Sequence, residues 1–253
     1  MREHLKRHPK LVQQHIEFEG GNYFHSPTLL EFIAENPVRH GDLPSNIVEV
    51  AKVILDAGPD QESRNATLGL VVTGRVVEEC GVQVGLIELL CDYGADPDND
   101  IRAAATQGNL GAAHTLIARG AHVDLTVAAA MGRVDDARRM LPTADAGERH
   151  LALAFATQKG KIEIVRLLLD AGEDPNRYNP LGSHSHSTPL HQAALHGHVD
   201  VVRLLIERGA RADMKDLLWQ GTPADWAKHE GRAEVEDLLR KIELQGRVVS
   251  GGD

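Results

Sequence analysis

Aromatic residues make up only 4% of this 253-residue chain, and it contains two cysteines and two tryptophans. So few large rings exclude a core built around an aromatic centre. Packing falls to Ala, Leu, Val and Gly, which suits many small, similar contacts between repeated units. Cys80 and Cys91 lack the CxxC spacing of a metal or redox pair, so they read as buried free thiols. Positive charge is also in deficit, with 27 Lys and Arg against 37 Asp and Glu and a formal net charge of −10. Phosphate backbones are gripped by clustered cations that displace counterions, so the balance argues against DNA and RNA as partners. No apolar run reaches the ~18 residues of a membrane span, and the charged start Met1 to His8 lacks a signal peptide's apolar stretch. A cytoplasmic protein without membrane association is expected. What is present, 42% hydrophobic and 25% charged residues, is ordinary globular composition.

The clearest internal unit is Ser187 to Ala210, STPLHQAALHGHVDVVRLLIERGA. Thr188 can cap a helix whose first turn holds Pro189 and which ends at Gly197. A second helix then carries Val201, Val202, Leu204 and Leu205 at helical spacing before Gly209 stops it. The same closing Gly after an apolar run recurs at Gly58, Gly94, Gly120 and Gly172, with a mid-unit Gly at Gly108, Gly132, Gly160, Gly197 and Gly231. The closing glycines are 36, 26, 52 and 37 residues apart, and the spacing of 52 reads as two units of 26 with a degenerate one at Leu125 to Leu141. A first unit near Ser26 to Gly58 and a last from Gly221 to Arg240 bring the expectation to about seven helix pairs.

The TPLH tetrapeptide, the mid-unit Gly and the closing Gly-Ala of that unit resemble the ankyrin repeat, and in particular small, free-standing bacterial ankyrin proteins. The resemblance implies an all-α solenoid of paired helices with short hairpin fingers projecting from one edge. Departures from the pattern fall on defined faces. Units one and two carry extra residues between their helices, Asn36 to Asn46 and Gly74 to Gln83. Units three and four lose their fingers, because only Ala95 to Asp98 follows Gly94 and Gly120 runs almost directly into Leu125. The finger after Gly172 is long (EDPNRYNPLGSHSHS) and the one after Gly209 near normal (ARADMKDLLWQ). The expected division is a capping helix within residues 1–25, with Leu5, Leu11, Val12 and Ile16 on its apolar side, a repeat domain over 26–244, and a flexible tail over 245–253.

Five of the fourteen histidines lie between His184 and His198. The resemblance implies structural roles for two of them: His191, the His of TPLH, bonds the neighbouring loop backbone, and His198 ties adjacent turns. His184 and His186 lie in the inserted finger, outside the repeat pattern. In an extended strand residues two apart face the same side, so this pair would offer two imidazoles to one metal, with a third ligand from Asp216, Asp225, His196 or His229. The competing reading is loop histidines that are solvated or hydrogen-bonded. Trp219 falls in the last finger and Trp226 on the first helix of the last unit, each either a binding anchor or a plug in the last seam. The acidic run Asp92, Asp96, Asp98 and Asp100 fails as a calcium loop, since Ile101 and Gln107 stand where Gly and Glu are required. No phosphate loop, GxSxG elbow or HExxH helix occurs, so an enzyme is not expected.

The leading expectation is therefore a non-catalytic protein-binding scaffold acting through its concave face and C-terminal fingers. Arg177, Tyr178, His184, His186, Gln192, His196, Asp216, Trp219, Trp226 and His229 are its candidate contacts, with no cofactor and no metal. The rival is a small-molecule, metal or catalytic site in the notch left by the missing fingers, near the C-terminal ones, where His184, His186 and His229 would converge with Asp216 or Asp225 and the tryptophans would wall the pocket. A weaker third expectation is an acidic surface that holds a basic partner.

Overall fold

A computed structural model of the chain describes residues 1–17, 26–35 and 41–250 and divides them into two compact units, 1–122 and 123–253. Every regular element among the described residues is helical.

The first unit opens with α1 (Arg2–Arg7) and a 3₁₀ turn, Pro9–Gln13. The single capping helix expected within residues 1–25 is therefore split. Pro9 has no N–H to continue α1, and instead opens the 3₁₀ turn. Leu5 and Val12 are buried, whereas Ile16 is exposed. The first pair joins a 3₁₀ turn, Leu30–Ala34, to α2 (Ile47–Leu55). Residues 36–40 of its expected insertion lie outside the described residues, as do 18–25 of the expected cap. The second pair is α3 (Gln61–Thr73) and α5 (Gln83–Asp92), and the extra residues from Gly74 hold an additional short helix, α4 (Arg75–Glu79). The third pair is α6 (Ile101–Gln107) and α7 (Leu110–Ala118). Cys80 and Cys91 are free and half-buried, not interior.

The second unit stacks four pairs: α8 (Leu125–Met131) with α9 (Val134–Met140), α10 (Ala146–Gln158) with α11 (Ile162–Asp170), α12 (Pro189–Leu195) with α13 (Val199–Glu207), and α14 (Pro223–His229) with α15 (Ala233–Ser250). First helices pack on first helices and second on second. Small residues allow the first-helix row to close up: Ala128, Ala129, Ala152, Ala156, Ala193, Ala194, Ala224 and Ala227 are buried there. Leu168, Val202, Leu205 and Leu239 fill the second row. Each fully buried aliphatic side chain of this kind contributes about 1.5–3 kcal/mol relative to exposure. The segment expected as a flexible tail differs: α15, anchored by buried Val235 and Leu239, propagates to Ser250, while 251–253 lie outside the described residues.

Sequence chemistry explains the ends of these helices. Asp145 and Glu148 form a capping box on α10, with the Glu148 N–H donating to Asp145 at 2.8 Å and the Asp145 N–H to Glu148 at 2.9 Å. Each closing and mid-unit Gly adopts positive φ, the left-handed backbone that ends a helix at low cost only for Gly. The residue after the mid-unit Gly reaches back to the end of the preceding first helix. Asn109 donates to the Val72 carbonyl (3.1 Å) in the first unit, and His198 to Gln158 (3.0 Å) and Arg232 to Leu195 (3.1 Å) in the second. The tie expected of His198 is thus one rung of a recurring ladder.

Candidate functional site

The two C-terminal fingers, Glu173 to Ser187 and Ala210 to Gly221, are fastened to each other at three points. Asn176 donates to the Gly209 carbonyl (2.9 Å) and accepts from the Arg211 N–H (2.8 Å). The Tyr178 hydroxyl donates to the Lys215 carbonyl (2.7 Å), and the Leu217 N–H to the His186 carbonyl (2.8 Å). Tyr178 is therefore a half-buried strut, and its own carbonyl accepts from His150 Nε2 (2.8 Å). Arg177 beside it is exposed.

Asp216 organises the second finger. Its fully buried carboxylate accepts the N–H groups of Leu218 (2.9 Å), Trp219 (2.6 Å) and Gly221 (2.8 Å), and the indole N–H of Trp226 (3.0 Å). Burial alone would push this carboxyl's pKa up, but the donors from Trp219, Trp226, Gly221 and Leu218 outweigh it and hold the group below the usual carboxylate range. The hub presents Leu217, Leu218 and Trp219 outward, with Trp219 69% exposed.

His191 locks the adjoining helix start. Its Nδ1 accepts from the Thr188 N–H (3.2 Å) and meets the Thr188 hydroxyl (2.8 Å), while Nε2 points at the Gly221 carbonyl (3.1 Å). A carbonyl only accepts, so Nε2 carries the proton and the ring is neutral. Burial drives the His191 pKa down to about 4. The loop-bonding role that the resemblance implied is present in the structure.

Between the fingers and α14 lies a cleft of about 740 Å³ whose walls include His184, His186, Leu195, Trp219, Trp226 and His229. His186 meets Trp219 edge-on (ring centroids 5.1 Å apart, 89° between planes) and lies tilted against Trp226 (5.6 Å, 41°). The two indoles contact each other at 5.9 Å and 60°. Trp226 is buried and Trp219 exposed, so one plugs the seam while the other faces outward. Asp225 and Glu230 complete the rim. The lining residues come from the last two fingers, α12 and α14, and none from the stretches where fingers are short.

The expected metal geometry is not formed. His184 has φ of 49°, so the His184–His186 segment is no extended strand, and the two rings stand T-shaped at 6.0 Å. Asp216 is committed to its four donors. Asp225 caps α14 through Thr222 (N–H donor at 2.9 Å) and pairs with Arg240 (2.6 Å). His229, at the exposed end of α14, contacts Glu230 (3.1 Å). His196 lies at the surface and stacks on His198 (5.9 Å), and its pKa is lowered, first by partial desolvation and then by the basic side chains around it. Among the described residues no group of three or more His, Cys, Asp or Glu is placed to hold a metal ion.

The structure thus gathers His184, His186, Trp219, Trp226 and His229 around one cleft. It places Gln192 and Asp216 in the interior, where neither can touch a partner directly, because Gln192 supports Ser187 (2.9 Å) and Asp216 holds the finger. Leu195, Gln220 and Glu230, and the exposed Leu181, Leu217 and Leu218, were not singled out from the sequence. The consecutive LLW of the finger was the available signal for the last two.

A family model described as ankyrin repeats, in three copies, matches residues 101–216. The chain is similar to cyclin-dependent kinase 4 inhibitor B of Bos taurus, at 31% identity over 117 residues, 35% of this chain and 88% of that protein. It is similar to cyclin-dependent kinase inhibitor 2A of Homo sapiens at 33% identity over 123 residues, 46% of this chain and 74% of that one. A third similarity is to ankyrin repeat and SOCS box protein 3 of Bos taurus, at 29% over 169 residues, 48% of this chain and 32% of that protein. No helix among the described residues is long and apolar enough to cross a membrane.

Proposed function

Since the chain belongs to the ankyrin-repeat proteins, we propose that it is a non-catalytic scaffold that binds a partner protein through its two C-terminal fingers and the first-helix surface beside them. The observation that carries this reading is a large apolar anchor, Trp219, 69% exposed, with its backbone held by the buried Asp216 carboxylate and its ring set against His186 and Trp226. Exposed Leu181, Leu217 and Leu218 on the same two fingers extend the apolar area. Grouped exposed apolar side chains mark interaction surfaces, and a pre-ordered Trp forfeits little conformational freedom on binding. Two of the similar proteins are inhibitors of cyclin-dependent kinases by name, which supports a partner of the broad class of proteins. The same reading places the protein in the cytoplasm. His184, His186, Trp219, Trp226 and His229 are the contacts, with Arg177, Tyr178 and His196 flanking them and Gln192 and Asp216 acting from behind.

A second reading, a small molecule in the cleft, is favoured by the cleft's volume and its largely apolar wall. Affinity capture from native extract separates the two. A protein retained by the wild type and lost by a folded Leu218→Ser, Trp219→Ala variant supports the scaffold. Capture that is unchanged by those substitutions removes the fingers from the interface and refutes it.

A further inference from the structure

Both tryptophans of the chain line one cleft, together with two carboxylates and no lysine or arginine. We propose that this cleft receives an arginine side chain from the docking segment of the partner, the guanidinium lying against the Trp219–Trp226–His186 wall with Glu230 at its rim. The proposal rests on the scaffold reading above and names the chemistry of the guest.

The ring geometry favours a cation. The three rings touch at 5.1, 5.6 and 5.9 Å, so they form one folded π surface and leave no slot among themselves for a flat neutral ring to enter. A cation needs only a free face, within ~6 Å of a ring centroid, and 69% exposure leaves Trp219 with one. Guanidinium suits such a wall better than ammonium, because it is planar, weakly hydrated and stacks on indole. Of the two rim acids, Asp225 is already occupied by Thr222 and Arg240. Among the described residues Glu230 meets the His229 imidazole, at 3.1 Å, and has no arginine or lysine paired with it, so it is the carboxylate available to a guest. Partial burial and then His186 lower the His184 pKa, which reduces the charge that imidazole opposes to a cationic guest. Leu195 in the lining accommodates an aliphatic stem, and the chain's net charge of −10 complements a basic segment.

A partner segment is favoured over a free small cation by what surrounds the cleft. Leu181, Leu217 and Leu218 stand exposed on the same fingers, an apolar margin that a lone ammonium ion leaves unused but that flanking side chains of a peptide cover.

Because both tryptophans lie in the cleft, emission excited selectively from tryptophan and not from tyrosine reports on it. The titrants are the peptide acetyl-Leu-Leu-Arg-Leu-Gly-amide, its counterpart with neutral citrulline in place of arginine, and tetramethylammonium. Saturable change with the arginine peptide is expected, with affinity for the citrulline peptide about fivefold or more weaker. Glu230→Gln, whose fold is checked by far-ultraviolet circular dichroism, should weaken the arginine peptide about threefold and leave the citrulline peptide unchanged. Equal binding of both peptides, no saturable response, or indifference to Glu230→Gln overturns the proposal. Tetramethylammonium binding as tightly as the peptide also overturns it, by making a free cation the guest. If the arginine peptide fails while a captured protein is still lost by Trp219→Ala, the scaffold reading stands and the arginine assignment falls.

Discussion

Replacing Asp216 with Ala tests whether one buried carboxylate holds the second finger in place. The substitution leaves four donors without their acceptor. Leu218 and Trp219 are exposed, so their N–H groups recover water and lose little. The Trp226 indole N–H is interior and the Gly221 N–H partly so, and each such orphan costs about 1–3 kcal/mol. Removing a buried charge returns some desolvation energy, so the expected net loss is about 3 kcal/mol. Urea denaturation slopes near 2 kcal/mol per molar convert this into a midpoint about 1.5 M lower. Stacked repeats unfold regionally, so tryptophan emission, which reports the site, should shift further than the circular dichroism of the whole chain. Asp216→Asn should fall between, because its oxygen still accepts while its NH₂ group faces donors. A loss below about 1 kcal/mol by emission would show that the finger is held by something other than this carboxylate.

The remaining expectations concern pH and backbone. His191 titrates near 4 in the fold against 6.5 unfolded, so its contribution is complete above pH 6.5 and fades as pH falls toward 4, by up to about 3 kcal/mol. Urea midpoints between pH 7.5 and 4.5 should trace this loss, and a His191→Gln variant should show a shallower dependence. Asp100 shows the opposite sign: burial first, then Asp96, raises its pKa to about 6, so its contribution is present below about 3.8 and lost as pH rises through 6. Asp100→Asn should therefore stabilise the first unit by about 1–2 kcal/mol at pH 7.5 and by much less at pH 4, read by circular dichroism because that unit has no tryptophan. Gly209→Ala meets open space and incurs only the left-handed strain of about 1 kcal/mol. In Gly160→Ala the new Cβ would also fall 2.7 Å from the His198 ring and break its bond to Gln158, for about 2–3 kcal/mol in thermal or urea unfolding.

The repeat frame was legible because it is written in backbone chemistry that a sequence exposes directly. Glycines closing apolar runs at Gly58, Gly94, Gly120, Gly172 and Gly209 all take positive φ, and His191 and His198 bond as their repeat positions implied. The gap of 52 residues resolves into two pairs, α8 with α9 and α10 with α11, because a degenerate unit keeps its small buried residues even without its signature. What was hidden lies in the irregular fingers. Nothing local marks Asp216 as a hub, since its farthest donor, the Trp226 indole, comes from the next helix, and its burial depends on how that helix docks. The alternation of His184 and His186 suggested a strand, but the left-handed turn at His184 aims the two rings differently. Pro9 could open a turn or merely kink a helix, and the packing of Leu5 and Val12 accompanies the former.

The cleft takes Trp226, His229 and Glu230 from α14, the first helix of the final pair. In a stack where each pair leans on its neighbours, α14 draws its stability from its contacts with α12 on one side and α15 on the other. On the scaffold reading, the recognition surface is thereby coupled to the α14–α15 edge of the second unit. A guest clasped between the fingers and α14 acts as a splint on that edge, so occupancy should be written in slower amide exchange along α14 and α15, including backbone the guest never touches. On the same reading, a change that loosens α15 from α14 should weaken binding without altering the cleft's own side chains.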